Sequence, residues 1–84
     1  MHRIVKARVL KDYRLALRFD DGKKGIVDLQ EVVPFDGVFA SLRNRTYFGQ
    51  VKVEADFGTI YWPNGADLDP DVLYSVVTGD PVHP

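Results

Sequence analysis

The sequence predicts a single domain of the α+β class. The expected architecture is a mostly antiparallel sheet (a three-strand meander plus a hairpin) with short helices and a C-terminal helix packed on one face. Three observations support it: residues 5–29 alternate between apolar and polar, residues 51–62 are rich in strand formers, and a capped helix pattern ends at Gly79. Strands and helices in separate blocks are typical of α+β folds.

The first strands alternate with a period of two residues. Apolar and basic residues take turns in 5–9 and again in 14–19, which is the pattern of a half-buried strand. Residues 11–13 form a polar link, and residues 20–23 form a hairpin turn because Asp-Gly supplies the positive φ angles that tight turns require. Residues 25–29 form the third strand. The side chains expected in the core are Val5, Ala7, Val9, Leu15, Leu17 and Phe19.

The middle of the chain predicts short helical segments. Pro34 limits any helical turn before it. Residues 38–42 have the spacing of a short helix whose buried side chains are Val38, Phe39 and Leu42. Thr46 is expected to cap a further turn that ends near Gly49.

A second hairpin and a helix complete the domain. Residues 51–54 and 59–62 are the predicted strands, and the turn at 63–65 closes the hairpin because proline fixes φ and glycine relieves strain. Asp69 is the expected N-cap of the last helix, and Pro70 occupies its first position. The helix is expected to carry an acidic first turn, to stop at a glycine, and to bury Val72, Leu73, Val76 and Val77.

Composition excludes several classes of protein. The chain has no cysteine, and therefore no disulfide and no thiolate chemistry. No apolar run approaches the roughly 20 residues of a membrane helix, and the first residues lack the apolar core of a signal peptide. We therefore expect a cytoplasmic protein without membrane contact. Residues 1–79 are expected to form one domain and residues 80–84 a flexible tail.

Three aspartates at alternate positions resemble the opening of a calcium-binding loop. Asp67, Asp69 and Asp71 fit the pattern D-x-D-x-D. The match ends there, because Val72 stands where the loop needs glycine and Thr78 stands where it needs glutamate. We therefore expect no metal at these residues.

The histidines and serines predict no catalytic site. His2 and His83 stand near opposite ends of the chain, without the further ligands that zinc requires. Neither Ser41 nor Ser75 has an internal histidine as its base. An acid/base pair of carboxylates stays open as an alternative, because aspartate is abundant. The sequence thus predicts a non-enzymatic protein without a cofactor.

Charge is distributed unevenly along the chain. Residues 1–24 hold eight basic and three acidic residues, whereas residues 25–84 hold three basic and nine acidic ones. Either the two halves attract each other within the fold, or the asymmetry marks a binding surface.

The outward positions of the predicted meander are basic. If the alternation holds, Lys6, Arg8, Arg14 and Arg18 face solvent together, and Lys24 joins them. Such a row would bind an acidic protein partner or phosphates. Alternatively, it is a solvated face whose cations discourage edge-to-edge pairing. No aromatic residue interleaves with these cations, so nucleic acid is not the expected partner.

An aromatic pair lies in the last strand of the second hairpin. Tyr61 and Trp62 are neighbours on a strand and therefore point to opposite faces, so one of them belongs to the core. The other, exposed beside Asn64 and Asp67, would anchor a partner. The alternative is a structural corner in which Trp62 covers the end of the sheet and Asn64 makes the turn.

Three segments carry a resemblance to a known family. Residues 12–15, 38–42 and above all 58–67, with the block Trp-Pro-Asn-Gly-Ala-Asp, resemble the bacterial domain-of-unknown-function family 2442 over roughly residues 3–77. The resemblance implies a small α+β protein with no assigned activity. Some members carry an additional helix-turn-helix domain, which implies regulation or ligand sensing there; we do not expect that domain in this chain. Many members are paired with a second small protein, which implies a two-protein module of the toxin–antitoxin kind.

These observations together predict a non-enzymatic protein-interaction module. It would bind a small protein partner without a cofactor, as a monomer or a homodimer. The candidate partner-binding residues lie on the basic face or at the Trp62 corner: Lys6, Arg8, Arg14, Arg18, Tyr61, Trp62, Asn64 and Asp67. The alternative function is a small-ligand-sensing or nucleic-acid-linked regulatory domain.

Overall fold

Two antiparallel sheets and short helices form the structure, a computed structural model that describes residues 2–79. The first sheet has the order β1-β2-β3, and the second has the order β4-β5-β6. The α+β class and the C-terminal helix are therefore confirmed. The expected tail at 80–84 lies outside the described residues. The strands are β1 (Ile4–Val9), β2 (Arg14–Phe19), β3 (Lys24–Asp28), β4 (Lys52–Val53), β5 (Ile60–Tyr61) and β6 (Asp67–Leu68); the helices are α1 (Leu29–Val32), a 3₁₀ segment (Gly37–Arg43), α2 (Arg45–Phe48) and α3 (Pro70–Thr78).

A β-bulge at the start of β1 changes which side chain of this strand is buried. Ile4 pairs with Phe19 but Lys6 pairs with Arg18, so Val5 is the extra residue of the bulge. Val5 is 54% exposed, and Ile4 takes the core position instead. The prediction that Val5 lies in the core is therefore wrong. Val9 keeps its inward register but is 40% exposed, contrary to expectation; it is the last residue of β1, which is an edge strand.

The polar link between β1 and β2 is a tight turn. Asp12 and Tyr13 have φ angles of 59° and 62°, the left-handed conformation that type I′ turns require at both central residues. The Tyr13 ring meets Phe35 and Phe48 edge-on, with centroid distances of 5.2 and 5.4 Å. Its hydroxyl donates a hydrogen bond to the Arg43 carbonyl. These contacts hold a bulky residue in a conformation that it rarely adopts.

The helical middle follows the prediction only in part. Leu42 is buried and Phe39 is partly buried, but Val38 is 51% exposed, contrary to expectation. A 3₁₀ segment has three residues per turn, so it buries a narrower stripe than the expected helix. The cap of α2 is Asn44 rather than Thr46, because the Asn44 Oδ1 atom accepts the Tyr47 N–H at 3.1 Å.

The second sheet contains a strand that the sequence did not predict. The turn at 63–65 leads into β6, which pairs with β5 and buries Leu68. Shortly before β5, the Gly58 carbonyl accepts the Ile4 N–H at 3.0 Å and so joins this sheet to β1. A Cβ atom at Gly58 would lie 2.5 Å from the Arg3 Cα atom, so this close approach needs glycine.

Helix α3 closes the core against the inner face of the first sheet. Its predicted ends are confirmed: the Asp69 Oδ1 atom accepts the Asp71 N–H at 2.7 Å, and Gly79 follows with a φ of 78°. The buried stripe is corrected, because Leu73 and Tyr74 are buried whereas Val72 and Val76 are exposed. No helix within residues 2–79 is long and apolar enough to cross a membrane. The opposite face of the first sheet carries none of the core.

Candidate protein-interaction surface

The outer face of the first sheet is the surface on which most of the predicted site residues meet. Leu15, Leu17 and Phe19 point into the core, so the alternate residues of β2 point away from it. The pairing register then fixes the residues of β1 and β3 that lie beside them. We call this surface the basic face; its members are Lys6, Arg8, Arg14, Ala16, Arg18, Lys24, Ile26 and Asp28.

The first row of the basic face consists of cations alone. Arg18 pairs with Lys6 of β1 on one side and with Lys24 of β3 on the other. Side chains that stand directly opposite on neighbouring antiparallel strands have Cβ atoms about 4.5–5.5 Å apart, and like charges there are destabilising. The row therefore works against the fold, which makes it a candidate for binding rather than for structure.

The second row provides an apolar floor beside the cations. Ala16 pairs with Arg8 on one side and with Ile26 on the other. Ile26 is 64% exposed, although it lies in the middle of a strand. A shallow concavity of about 420 Å³ covers this area. Its lining combines members of the first two rows with the pair of residues between them, Leu17 and Gly25; the row members are Lys6, Arg8, Ala16, Arg18, Lys24 and Ile26.

The third row leaves the positive charge of the face largely intact. Arg14 pairs with Asp28, which is the acidic member of the face. The Asp28 Oδ1 atom accepts the Gln30 N–H at 3.0 Å and so caps α1. This carboxylate therefore serves the helix that follows β3. Five cations and one carboxylate make the face basic in a protein whose formal net charge is −1.

The Trp62 corner is built into the core rather than onto the surface. Trp62 is 1% exposed, and its Nε1–H donates a hydrogen bond to the Phe48 carbonyl at 3.0 Å. Tyr61 is half-buried and Asp67 is exposed, and the two are partners across β5 and β6. The indole is therefore not the exposed anchor that one interpretation of the sequence required.

Asn64 organises the turn beside Trp62. Its N–H donates to the Tyr47 hydroxyl at 2.7 Å, and its Nδ2 atom donates to the Val38 carbonyl at 2.9 Å. Its Oδ1 atom accepts the Ala66 N–H at 3.0 Å. The side chain of Asn64 thus ties the turn to the 3₁₀ segment and its backbone N–H ties the turn to α2, which gives Asn64 a structural role.

The prediction from the sequence does not give two members of the basic face their full place. Lys24 was expected only as an addition to the row, and Ile26 was not recognised as exposed. The signal was present in β3, where Lys24 and Ile26 alternate with Gly25 and the buried Val27. The register that aligns Lys24 with Arg18 depends on the turn at 20–23, which the Asp-Gly signal had located.

A second polar cluster joins the start of the chain to α3. The Tyr74 hydroxyl donates to the Asp21 Oδ2 atom at 2.6 Å, and the Tyr74 ring stacks on His2 with a centroid distance of 3.5 Å. The hydrogen bond from Tyr74, followed by that from the Lys23 N–H, holds the pKa of Asp21 below its usual value. Within residues 2–79, no three histidine, aspartate or glutamate side chains converge in a way that would hold a metal ion.

The fold and the basic face together define a small α+β domain with a charged, open sheet surface. The model of the family described as "Protein of unknown function (DUF2442)" matches residues 4–79. The chain therefore belongs to this family, as the Trp-Pro-Asn-Gly-Ala-Asp block had indicated. No curated protein and no solved structure matches the chain significantly.

Proposed function

We propose that this protein is a non-enzymatic interaction module that binds an acidic protein partner through the basic face. The observation that supports the proposal is the row Lys6–Arg18–Lys24 beside the exposed Ile26. Like charges in register reduce the stability of a sheet. Carboxylates of a partner would remove this repulsion, and an apolar side chain of the partner would cover the floor between the cations.

The chemistry of the face favours a protein over a nucleic acid. Among the described residues of the face, none is aromatic, so bases would find no stacking platform. Its second row presents Ala16 and Ile26 on β2 and β3 and only Arg8 on β1, so the donors for a phosphate backbone are interrupted there. A protein segment that combines carboxylates with an apolar side chain complements both features.

The partner in this proposal is a second small protein, in a two-protein module of the toxin–antitoxin kind. The pairing comes from the family resemblance, and the basic face supplies a surface for it. Such a module would work in the cytoplasm, which is consistent with a chain that has no cysteine.

Affinity capture with matched charge reversals tests the proposal. The bait is the full chain, immobilised and exposed to lysate of its source organism. One variant reverses the face (Arg8→Glu, Arg14→Glu and Arg18→Glu). A control variant has the same change in net charge outside the face (Lys11→Glu, Arg43→Glu and Lys52→Glu); all six side chains are exposed.

We expect one near-stoichiometric protein that the wild type and the control variant retain and the face variant loses. Binding to the face variant should return when acidic residues of the purified partner are changed to lysine, because a charge swap restores complementarity. Equal retention by both variants would exclude the basic face as the binding site. Capture of nucleic acid instead, with a steep salt dependence, would favour the regulatory alternative.

A further inference from the structure

We propose that the basic face binds an extended acidic segment of the partner in which an acidic, an apolar and an acidic side chain point to the sheet at every second position. This inference rests on the proposed function and specifies the chemistry of the partner. It follows from the order of the three rows along β2: Arg18, Ala16 and Arg14 face outward in succession.

The spacing of the rows matches an extended chain. Successive outward residues of one strand are about 6.6–6.8 Å apart, because a strand rises about 3.3–3.4 Å per residue. An extended partner segment has the same period, so its residues i, i+2 and i+4 fall over the three rows. The acid–x–apolar–x–acid pattern reads the same in both chain directions, and the segment therefore fits in either orientation.

A helical partner segment would match the spacing of only two of the three rows. Four residues of a helix rise about 6.0 Å, which is close to one row, but they also turn the side chain by about 40°. The residue at i+8 is therefore about 80° away from the residue at i and no longer faces the sheet. A helix would reach two neighbouring rows at most, whereas the basic face offers complementary groups on three.

The chemistry of each row assigns the facing residues of the segment. A carboxylate over the first row lies near Arg18, with Lys6 and Lys24 on either side. An apolar side chain over the second row covers Ala16 and the exposed Ile26. A carboxylate over the third row meets Arg14, whose cross-strand neighbour is occupied in capping α1.

Two synthetic peptides of identical composition test the inference on the full-length protein. One is Gly-Glu-Ser-Leu-Ser-Glu-Gly, which alternates as proposed. The other is Gly-Glu-Glu-Ser-Ser-Leu-Gly, which carries the same charges without the alternation. Titration is followed by NMR through the Ile26 methyl groups and the backbone amides of β2, which report weak binding and its location.

We expect the alternating peptide to shift the Ile26 methyl signals and to bind about fivefold more tightly than its isomer, which corresponds to the loss of one or two exposed ion pairs. Ile26→Ser should weaken binding of the alternating peptide. Val72→Ser should not, because Val72 is an exposed residue on α3, outside the basic face. Equal affinities of the two peptides, or shifts away from the face, would overturn the inference.

The two proposals fail in different ways. If the partner from lysate is lost with the face variant but the peptides bind equally, the interaction module stands and the extended acidic segment is wrong. If reversal of the face leaves capture of the partner unchanged, the proposed function is wrong as well. A preference for RNA or duplex DNA over both peptides in the same titration would also exclude the inference.

Discussion

At the scale of the residue, Tyr74 links three distant parts of the chain. Its hydroxyl donates to Asp21 in the β2–β3 turn, and its ring stacks on His2 and meets Phe19 edge-on at 5.0 Å. The carboxylate of Asp21 is thus stabilised in its charged form, which lowers its pKa. Because the lowered pKa exists only in the folded state, it connects this hydrogen bond to the stability of the protein as a function of pH.

Removal of the Tyr74 hydroxyl should give a loss of stability that depends on pH. Asp21 has a folded pKa below the unfolded value of about 3.9, so its contribution is fully present above that pH and is lost as pH falls through the folded pKa. We expect Tyr74→Phe to lower the free energy of unfolding at pH 7, and the difference from wild type to shrink below about pH 4. Urea denaturation at steps from pH 7 to pH 2 measures it.

A tyrosine that does not donate a hydrogen bond to Asp21 provides the control. Tyr61 is half-buried in β5, and Tyr61→Phe should change stability by an amount that does not vary over the same pH range. A Tyr74→Phe difference that stays constant or grows on acidification would contradict the assignment of the lowered pKa to this hydrogen bond.

At this scale, the sequence predicted only those side-chain orientations that depend on neighbouring residues in the chain. Alternation along a strand required Tyr61 and Trp62 to face opposite ways, which the structure confirms. It did not say which of them is buried, because that depends on Phe48, fourteen positions earlier, whose carbonyl accepts the indole N–H. Val5 was misplaced for a similar reason: a bulge depends on the register with a partner strand, and the sequence of one strand does not show it.

At the scale of the element, the packing of α3 on β3 depends on a missing side chain. Gly25 is the second residue of β3 and lies on the inner face, opposite Leu17. A Cβ atom at Gly25 would lie 2.5 Å from the Val77 Cγ1 atom, which is closer than two carbon atoms can approach. The helix therefore approaches the strand at this point because glycine leaves room for a valine.

A double-mutant cycle tests this contact. We expect Gly25→Ala to destabilise the protein by about 1–3 kcal/mol, the usual cost of overpacking. Val77→Ala alone should cost about 1 kcal/mol or more for the lost methyl groups. The double variant should be more stable than the sum of the single effects implies, because the smaller side chain makes room for the added methyl group. Denaturation midpoints of the four proteins give the coupling energy, and additive effects would contradict direct contact.

Elements were predictable where their signals are local. The ends of α3 were read from Asp69, Pro70 and Gly79, since a cap is formed by residues next to it in sequence. The strand β6 was missed because it has only two residues, Asp67–Leu68, and exists through its pairing with β5. Its hydrogen bonds depend on the turn that Asn64 holds, which no periodicity reveals.

At the scale of the whole molecule, the uneven charge of the sequence becomes a property of one face. The cations of the first half could have been covered by the acidic second half. The structure instead places five of them on an outer sheet face. Asp69 accepts the Asp71 N–H at the start of α3, and Asp71 accepts the His2 N–H at the start of the chain. The sequence therefore indicated the composition of the surface correctly. It did not show that Ile26 completes this surface, since exposure of an apolar strand residue depends on what the fold leaves uncovered.

Arg18→Glu should raise stability and remove binding at the same time. A carboxylate at this position would stand between Lys6 and Lys24, so two repulsive pairs become attractive. At about 0.2–1 kcal/mol for each cross-strand pair, we expect the thermal midpoint to rise by several degrees at low salt, with a smaller rise at about 0.5 M salt. Arg8→Glu is the control, because Arg8 stands opposite Ala16 and gains little.

Thermal unfolding of the two variants and of wild type, monitored by circular dichroism at low and high salt, measures these changes in the thermal midpoint. A variant that is more stable than wild type but no longer binds its partner has not lost binding through unfolding. That outcome would show that the cation row opposes the fold and acts in recognition. If Arg18→Glu were no more stable than Arg8→Glu, the three cations would not repel one another measurably, and the main physical reason for regarding the basic face as a binding surface would be lost.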